Sequence, residues 1–283
     1  MEKALKKWFP VFVLPTLAAF AVGFIWPFIQ GIYLSFCRFT TVDNARWVGL
    51  DNYVKALADE TFSHSFVFTV SFAIVSTVVI NVCAFAIALA LTKNIKGTNI
   101  FRTIFFMPNL IGGIVLGYIW NILLNAVLSN LAQPLMDLNT TAGYWGLIIL
   151  TCWQQIGYMM IIYIAGLQNV PPELIEASAI DGATAIQSLI HVKLPMIMSS
   201  ITICLFLTIT NSFKLFDQNL ALTAGEPAHA TEMLALNIYN TFYFRAGPQW
   251  KGIGQAKAVI FFVLVIVIAL SQLKATRSKE VQQ

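Results

Sequence analysis

The chain has 283 residues, 58% of them hydrophobic and only 11% charged, with mean hydropathy +0.75 and a formal net charge of +4. A water-soluble chain of this length needs more polar surface than that, so composition excludes one or two globular domains and indicates a polytopic membrane protein. The small positive excess says little about nucleic acid; what matters is where the basic residues fall along the chain.

A helix needs about 20 residues to cross a hydrocarbon layer of about 30 Å. Six runs qualify: Val11–Phe36, Phe66–Leu91, Thr103–Leu128, Tyr144–Leu167, Met198–Phe216 and Ala258–Leu273. The predicted fold is all-α, one membrane domain over residues 1–283. The first run is too long for a signal-peptide core and passes Pro15 and Pro27 with no small-residue cleavage pattern, so it is expected to stay as an anchor. Lys3, Lys6 and Lys7 precede the first run, and Lys93, Lys96 and Arg102 lie between the second and third. Lys193 follows the fourth, and Lys274, Arg277 and Lys279 end the chain. All lie on one side. On the other side Arg38, Arg46, Lys55, Arg245, Lys251 and Lys257 are diluted among Asp43, Asp51, Asp59, Glu60, Glu226 and Glu232. The positive-inside rule then places both termini in the cytoplasm.

Polar residues inside the runs come next, because an unpaired polar group in hydrocarbon is costly. In the fourth run Thr151, Gln154, Gln155 and Tyr158 recur at helical spacing, and in the fifth Thr208, Asn211, Ser212 and Leu215 repeat the pattern. Helix-to-helix hydrogen bonding and the lining of a pathway are both open roles for them. Asn81, Asn121 and Asn125 are weaker candidates. Lys214 and Asp217, spaced i,i+3 at the outer end of the fifth run, are expected to pair. Cys37, Cys83, Cys152 and Cys204 have unrelated spacings, and His64, His191 and His229 are far apart, so no metal site is expected.

Between the fourth and fifth runs lies a polar stretch, residues 170–195, that reads as helix, sharp turn, helix. Pro171 and Pro172 suit a first helical turn, and Glu173 and Glu176 put negative charge near its positive end. Gly182 can take the left-handed conformation that closes a helix. A second helix is expected from near Ala183, with Ile186, Leu189, Ile190 and Lys193 at helical spacing, until Pro195 redirects the chain.

Glu176-Ala177-Ser178, then Gly182, then Val192-Lys193-Leu194-Pro195 closely resembles the EAA loop of ATP-binding-cassette importer permeases, with Ser178 and Val192 where the family pattern has Ala and Ile. Trp47-Val48-Gly49-Leu50-Asp51-Asn52-Tyr53 is similar to the GLxNY element of the carbohydrate branch. Leu222-Thr223-Ala224-Gly225-Glu226-Pro227 is similar to its LTxGGP segment, with Glu226 in place of the second glycine, and an amphipathic surface run from Thr231 to Phe244 follows. Arg102–Pro108 and Leu273–Arg277 also look like that branch. The resemblance implies a type I importer permease fold with six transmembrane helices and a cytoplasmic coupling loop over 170–195. Glu176, Ala177, Ser178, Asp181, Gly182, Leu194 and Pro195 would meet the ATPase. In maltose-type relatives the runs flanking this loop supply the sugar site, which maps onto Thr151, Gln154, Gln155, Tyr158, Thr208, Asn211, Ser212 and Leu215.

The implied partners are a second permease in a heterodimer, two cytoplasmic ATPase subunits, an external substrate-binding protein, the sugar and membrane lipid, with no nucleic acid. No Gly-x-x-x-x-Gly-Lys-Ser/Thr phosphate loop occurs, so ATP and magnesium belong to the partner ATPase and this chain needs no cofactor. No nucleophile, base or metal constellation suggests an enzyme. The expected cargo is a neutral sugar or oligosaccharide. The alternatives are a glycerol-3-phosphate or polyol permease of the same family, or a self-sufficient secondary transporter, which would need mid-membrane ionisable residues.

Overall fold

The computed structural model describes residues 2–93 and 96–277, so Lys279, used above for topology, lies outside the described residues. The helices in chain order are α1 (Glu2–Phe20), α2 (Trp26–Ser35), α3 (Asp51–Leu57), α4 (Glu60–Leu91), α5 (Thr98–Phe106), α6 (Gly113–Asn130) and α7 (Thr140–Gln168). They continue as α8 (Pro172–Ile180), α9 (Ala185–Ser188), α10 (Leu194–Met196), α11 (Met198–Phe213), α12 (Asp217–Leu222), α13 (Leu234–Tyr243) and α14 (Pro248–Arg277). A minimal antiparallel hairpin pairs β1 (Cys37–Arg38) with β2 (Arg46–Trp47). Two compact units result: Met1–Glu60 with Ile238–Phe262, and Thr61–Asn237 with Val263–Gln283.

In the first unit a π turn at Ala21–Ile25 joins α1 to α2, and Phe20, Phe24 and Phe28 stack in succession along them. Beyond the hairpin, Gly49 takes φ +62 and turns the chain into α3. There the buried Asn52 donates to the carbonyls of Ser35 and Cys37, both at 2.9 Å. This satisfies backbone oxygens stranded where α2 ends, a need that explains an amide at this position. Lys257 is fully buried, and its Nζ donates to Asp59 Oδ2 at 2.8 Å and to Thr241 Oγ1 at 2.9 Å, while Arg245 reaches the same carboxylate at 2.7 Å.

The second unit is built on α4, α7 and α11. Phe72, Ile80, Ala84 and Ala88 of α4 pack with Leu147, Leu150, Met159 and Met160 of α7 and with Cys204 of α11. A chain of polar bonds crosses the same core. Tyr163 Oη donates to Asn81 Oδ1 at 2.7 Å, and Asn81 Nδ2 donates to Thr208 Oγ1 at 3.0 Å. Interhelical bonds of this kind contribute about 0.6 to 2 kcal/mol each in a bilayer.

Val11–Ser35, Glu60–Leu91, Gly113–Asn130, Thr140–Gln168 and Pro248–Thr276 are long and apolar enough to cross a membrane; a sixth crossing requires the pair Ala185–Met196 and Met198–Phe213, bent by 73°. The predicted third run departs most from this. Thr103–Leu128 is divided into α5, a 3-10 turn at Met107–Leu110 and α6, because Pro108 offers no N–H and Gly112 turns extended (φ −61, ψ 142). The predicted fifth run reaches Phe216, whereas α11 stops at Phe213. The helix of the predicted sixth run, α14, begins at Pro248, ten residues before the predicted Ala258.

Candidate functional site

Two backbone interruptions in the second unit build a polar wall. The first is the break between α5 and α6. The second lies between α11 and α12, where Phe216 (φ −128, ψ −59) leaves the helical region and α12 starts in a new direction. Gly113 and Gly117 on α6 let α12 lie close. A Cβ at Gly117 would sit 2.5 Å from Ala221 Cβ, and one at Gly113 would sit 2.8 Å from Asp217 Cβ. This is the small-residue packing by which membrane helices approach one another. It brings Gln218 Nε2 within 2.7 Å of Gln154 Oε1, and Gln154 in turn donates to the Ile111 carbonyl at 3.1 Å. That carbonyl is available because the break between α5 and α6 removes its helical partner.

A cavity of about 280 Å³ opens against this wall, lined by Gln155, Asn211, Lys214, Leu215, Phe216, Asp217 and Gln218. Asn211 Nδ2 points toward Gln155 Oε1 at 3.5 Å, a bond long enough to leave both amides available to a ligand. Lys214 and Asp217 are exposed and form no ion pair among the described residues, contrary to the expected i,i+3 bridge. The reason is the break at Phe216, which removes the helical spacing on which that expectation rested.

The predicted residues therefore divide. Gln155, Asn211 and Leu215 line the cavity, with Gln154 behind them. Thr208 is buried, donates to the Cys204 carbonyl at 2.7 Å and accepts from Asn81; Ser212 is buried and bonded to Ser76 at 3.0 Å. Both face α4. Thr151 is buried and its hydroxyl has no partner among the described residues. Tyr158 is half-buried, its ring 6.5 Å from that of Phe106. Of the weaker candidates, Asn121 donates to the Leu222 carbonyl at 2.6 Å and Asn125 Oδ1 accepts from the Met136 N–H at 3.0 Å, so one holds the end of α12 and the other the start of the 3-10 turn at Met136–Leu138. Sequence reasoning misses Gln218, which lies beyond a fifth run read as helix through Phe216, and it takes Phe216 as the last apolar residue of that run; the signal for both is the polar cluster Lys214, Asp217 and Gln218.

The stretch 170–195 closes on itself by local rules. Gly182 takes φ +78, its N–H reaches the Ala179 carbonyl at 3.1 Å, and the Ala183 N–H reaches the Ser178 carbonyl at 2.9 Å. Those two bonds make a Schellman cap on α8. Thr184 then opens α9 in a capping box: its hydroxyl accepts from the Gln187 N–H at 3.3 Å and its own N–H donates to Gln187 Oε1 at 2.7 Å. The second helix thus starts at Ala185 rather than Ala183, and continues through a π segment (Leu189–Lys193) into α10. Ser178 Oγ lies 3.0 Å from Ser188 Oγ and clips the two helices together. Glu176, Ala177, Asp181, Gly182 and Pro195 are exposed and Leu194 is half-buried. Ile180 and Ile186 stand out at 87% and 69% exposure, beside carboxylates that make no ion pair among the described residues. Such an acidic, apolar prominence suits a docking partner.

Residues 83–277 match the family described as binding-protein-dependent transport system inner membrane component. The probable starch degradation products transport system permease protein AmyD of Thermoanaerobacterium thermosulfurigenes is 43% identical over 282 residues, covering 97% of this chain and 96% of its own. The multiple sugar-binding transport system permease protein MsmF of Streptococcus mutans is 31% identical and covers 99% of both chains. In fold, the chain is similar to the crystal structure of a bacterial ABC transporter involved in import of the acidic polysaccharide alginate, with TM-score 0.82, 20% identity and 98% of each chain covered.

Proposed function

This chain belongs to the binding-protein-dependent transport system inner membrane components, and we propose that it is the sugar-conducting permease of an ATP-driven importer, carrying neutral sugars or oligosaccharides. It works as one transmembrane permease domain, half of a heterodimeric pathway completed by a second permease, with two ATPase subunits on its cytoplasmic face and a solute-binding protein outside. The names of the relatives support the sugar class. The observation that carries the reading is the cavity at the break between α11 and α12, where Gln155, Asn211 and Gln218 offer amides that both donate and accept, as sugar hydroxyls require. The capped loop of α8 and α9 precedes α11 by a single bend, so motion of a docked ATPase reaches the cavity wall through one lever.

Uptake by the reconstituted complex tests this. Asn211→Ala and Gln155→Ala should lower sugar uptake while assembly and sugar-independent ATP hydrolysis stay intact; unchanged uptake in both refutes the assignment. Lys214 favours a second reading, a solute with one anionic group such as glycerol-3-phosphate, because it lines the same cavity with no ion-pair partner among the described residues. Uptake of the phosphorylated solute in place of sugar decides for it.

Cytoplasmic termini rest on the basic clusters, and the loop of α8 and α9 then lies inside. A cysteine at the exposed His229 should react with an impermeant thiol reagent added outside, and one at the exposed Gln187 should not. Thr231 is buried and would report neither side. Reversed labelling inverts the topology.

A further inference from the structure

We infer that α5 and the lysines before it form a binding site for an anionic phospholipid headgroup, with Arg102 as the phosphate ligand. Three observations converge on this segment.

The first is charge. No aspartate or glutamate occurs between Glu60 and Asp137, so Lys93, Lys96 and Arg102 have no acidic neighbour in that whole stretch of chain. Lys93 and Lys96 are exposed. The second is the state of Arg102. Its Nε is enclosed within the protein yet has no hydrogen-bond partner, and the side chain forms no ion pair among the described residues. The enclosed Nε is out of reach of any headgroup, but the residue is only half-buried, and the planar guanidinium fork it presents matches the oxygens of a phosphodiester. The third is the apolar surface of the same helix. Ile100, Phe101, Ile104 and Phe105 recur at helical spacing and are all exposed, while Asn99, Arg102 and Thr103 occupy the other face. A short helix with an aromatic and aliphatic face, a basic face and no acid is built to lie in a bilayer interface, with its apolar residues in acyl chains and its cations at headgroup level.

Lipid is favoured over a protein occupant because the exposed apolar residues and the unpartnered cation share one nine-residue helix. A phospholipid satisfies both with one molecule. Occupancy there bears on the pathway through packing. The Phe105 carbonyl and the Phe106 N–H lie against Gly157, so α5 is pressed on α7 one turn from Gln154. A headgroup that fixes α5 therefore fixes the helix carrying the Gln154 and Gln155 amides.

The test uses the full-length chain in nanodiscs of phosphatidylcholine mixed with phosphatidylglycerol, released into native mass spectrometry. Wild type should retain phosphatidylglycerol in preference to phosphatidylcholine. Arg102→Gln should reduce that retention about fivefold, the worth of one cation near an anionic surface. Arg102→Lys should lose part of it, because a point charge lacks the fork, and Lys55→Gln, on the other side and already paired with Asp51, should leave it unchanged. A wild type with no preference overturns the site, as does Arg102→Gln with undiminished retention. So does Arg102→Gln that loses both lipids alike, which marks a packing role, or loses a co-purifying ATPase while keeping its lipid, which marks a protein contact. If Arg102→Gln fails to fold, the wild type decides: its thermal midpoint must rise on replacing part of the phosphatidylcholine with phosphatidylglycerol, and no rise sinks the proposal.

Discussion

The loop of α8 and α9 and the cavity at the junction of α11 and α12 both follow from interrupted helices, but the interruptions have different origins. In the loop every bend has a local cause: Pro172 starts α8, Gly182 at φ +78 ends it, and the Thr184 and Gln187 capping box starts α9. At the cavity no proline or glycine marks the turn. Lys214, Leu215 and Phe216 leave the helix because α12 finds a better seat on the glycine face of α6 and because Gln218 bonds Gln154 there. The loop is a folded element on its own terms, whereas the cavity exists only when distant elements meet.

If that distinction holds, mutations should act differently in the two places. The largest effect is expected at Gly157→Ala, where the added methyl would run into the Phe105 carbonyl, a backbone atom with no rotamer to escape into. A cost of about 3 kcal/mol is expected. Thermal unfolding of the purified protein should show a large drop in midpoint, and an unchanged midpoint would mean that α5 is not held on α7. Next is Gly182→Val. Forcing a β-branched residue to φ +78 costs about 1 to 2 kcal/mol locally. Here the global midpoint should move little while ATP-coupled uptake falls, and Gly182→Asn should retain uptake, because Asn tolerates the left-handed region. A Gly182→Val variant that transports normally would remove the rigid loop from the coupling mechanism. The smallest effect separates two residues that sequence spacing places together. Thr208→Val deletes the acceptor for Asn81 and should lower stability by about 1 kcal/mol with little change in sugar affinity. Asn211→Ala should do the opposite. Equal loss of sugar affinity in both would put Thr208 back in the pathway.

What could be read from the chain follows the same division. The long apolar runs, the polar loop and its glycine turn announce themselves through length, hydropathy and backbone chemistry. The break at Pro108 was also written in plain sight, but an apolar run on both sides of a proline reads as one span until packing shows otherwise. Of the polar positions in the fourth and fifth runs, periodicity picks out Gln155 and Asn211, which line the cavity from α7 and α11. It could not separate them from Thr208 and Ser212, because a three-to-four spacing covers a wide arc, and part of that arc faces α4. Nor could spacing foresee Gln218, whose position depends on a change of chain direction made three residues earlier.

The Ile111 carbonyl, the acceptor beneath Gln154, has an evolutionary consequence. A backbone oxygen is the same atom whatever side chain occupies the position, so substitution at residue 111 leaves the acceptor in place. Substitutions that reshape the wall must then act through the amides stacked on it, beginning with Gln218 at the cavity edge. Gln154 is the costlier place to experiment, because its loss would leave both the carbonyl and Gln218 without a partner.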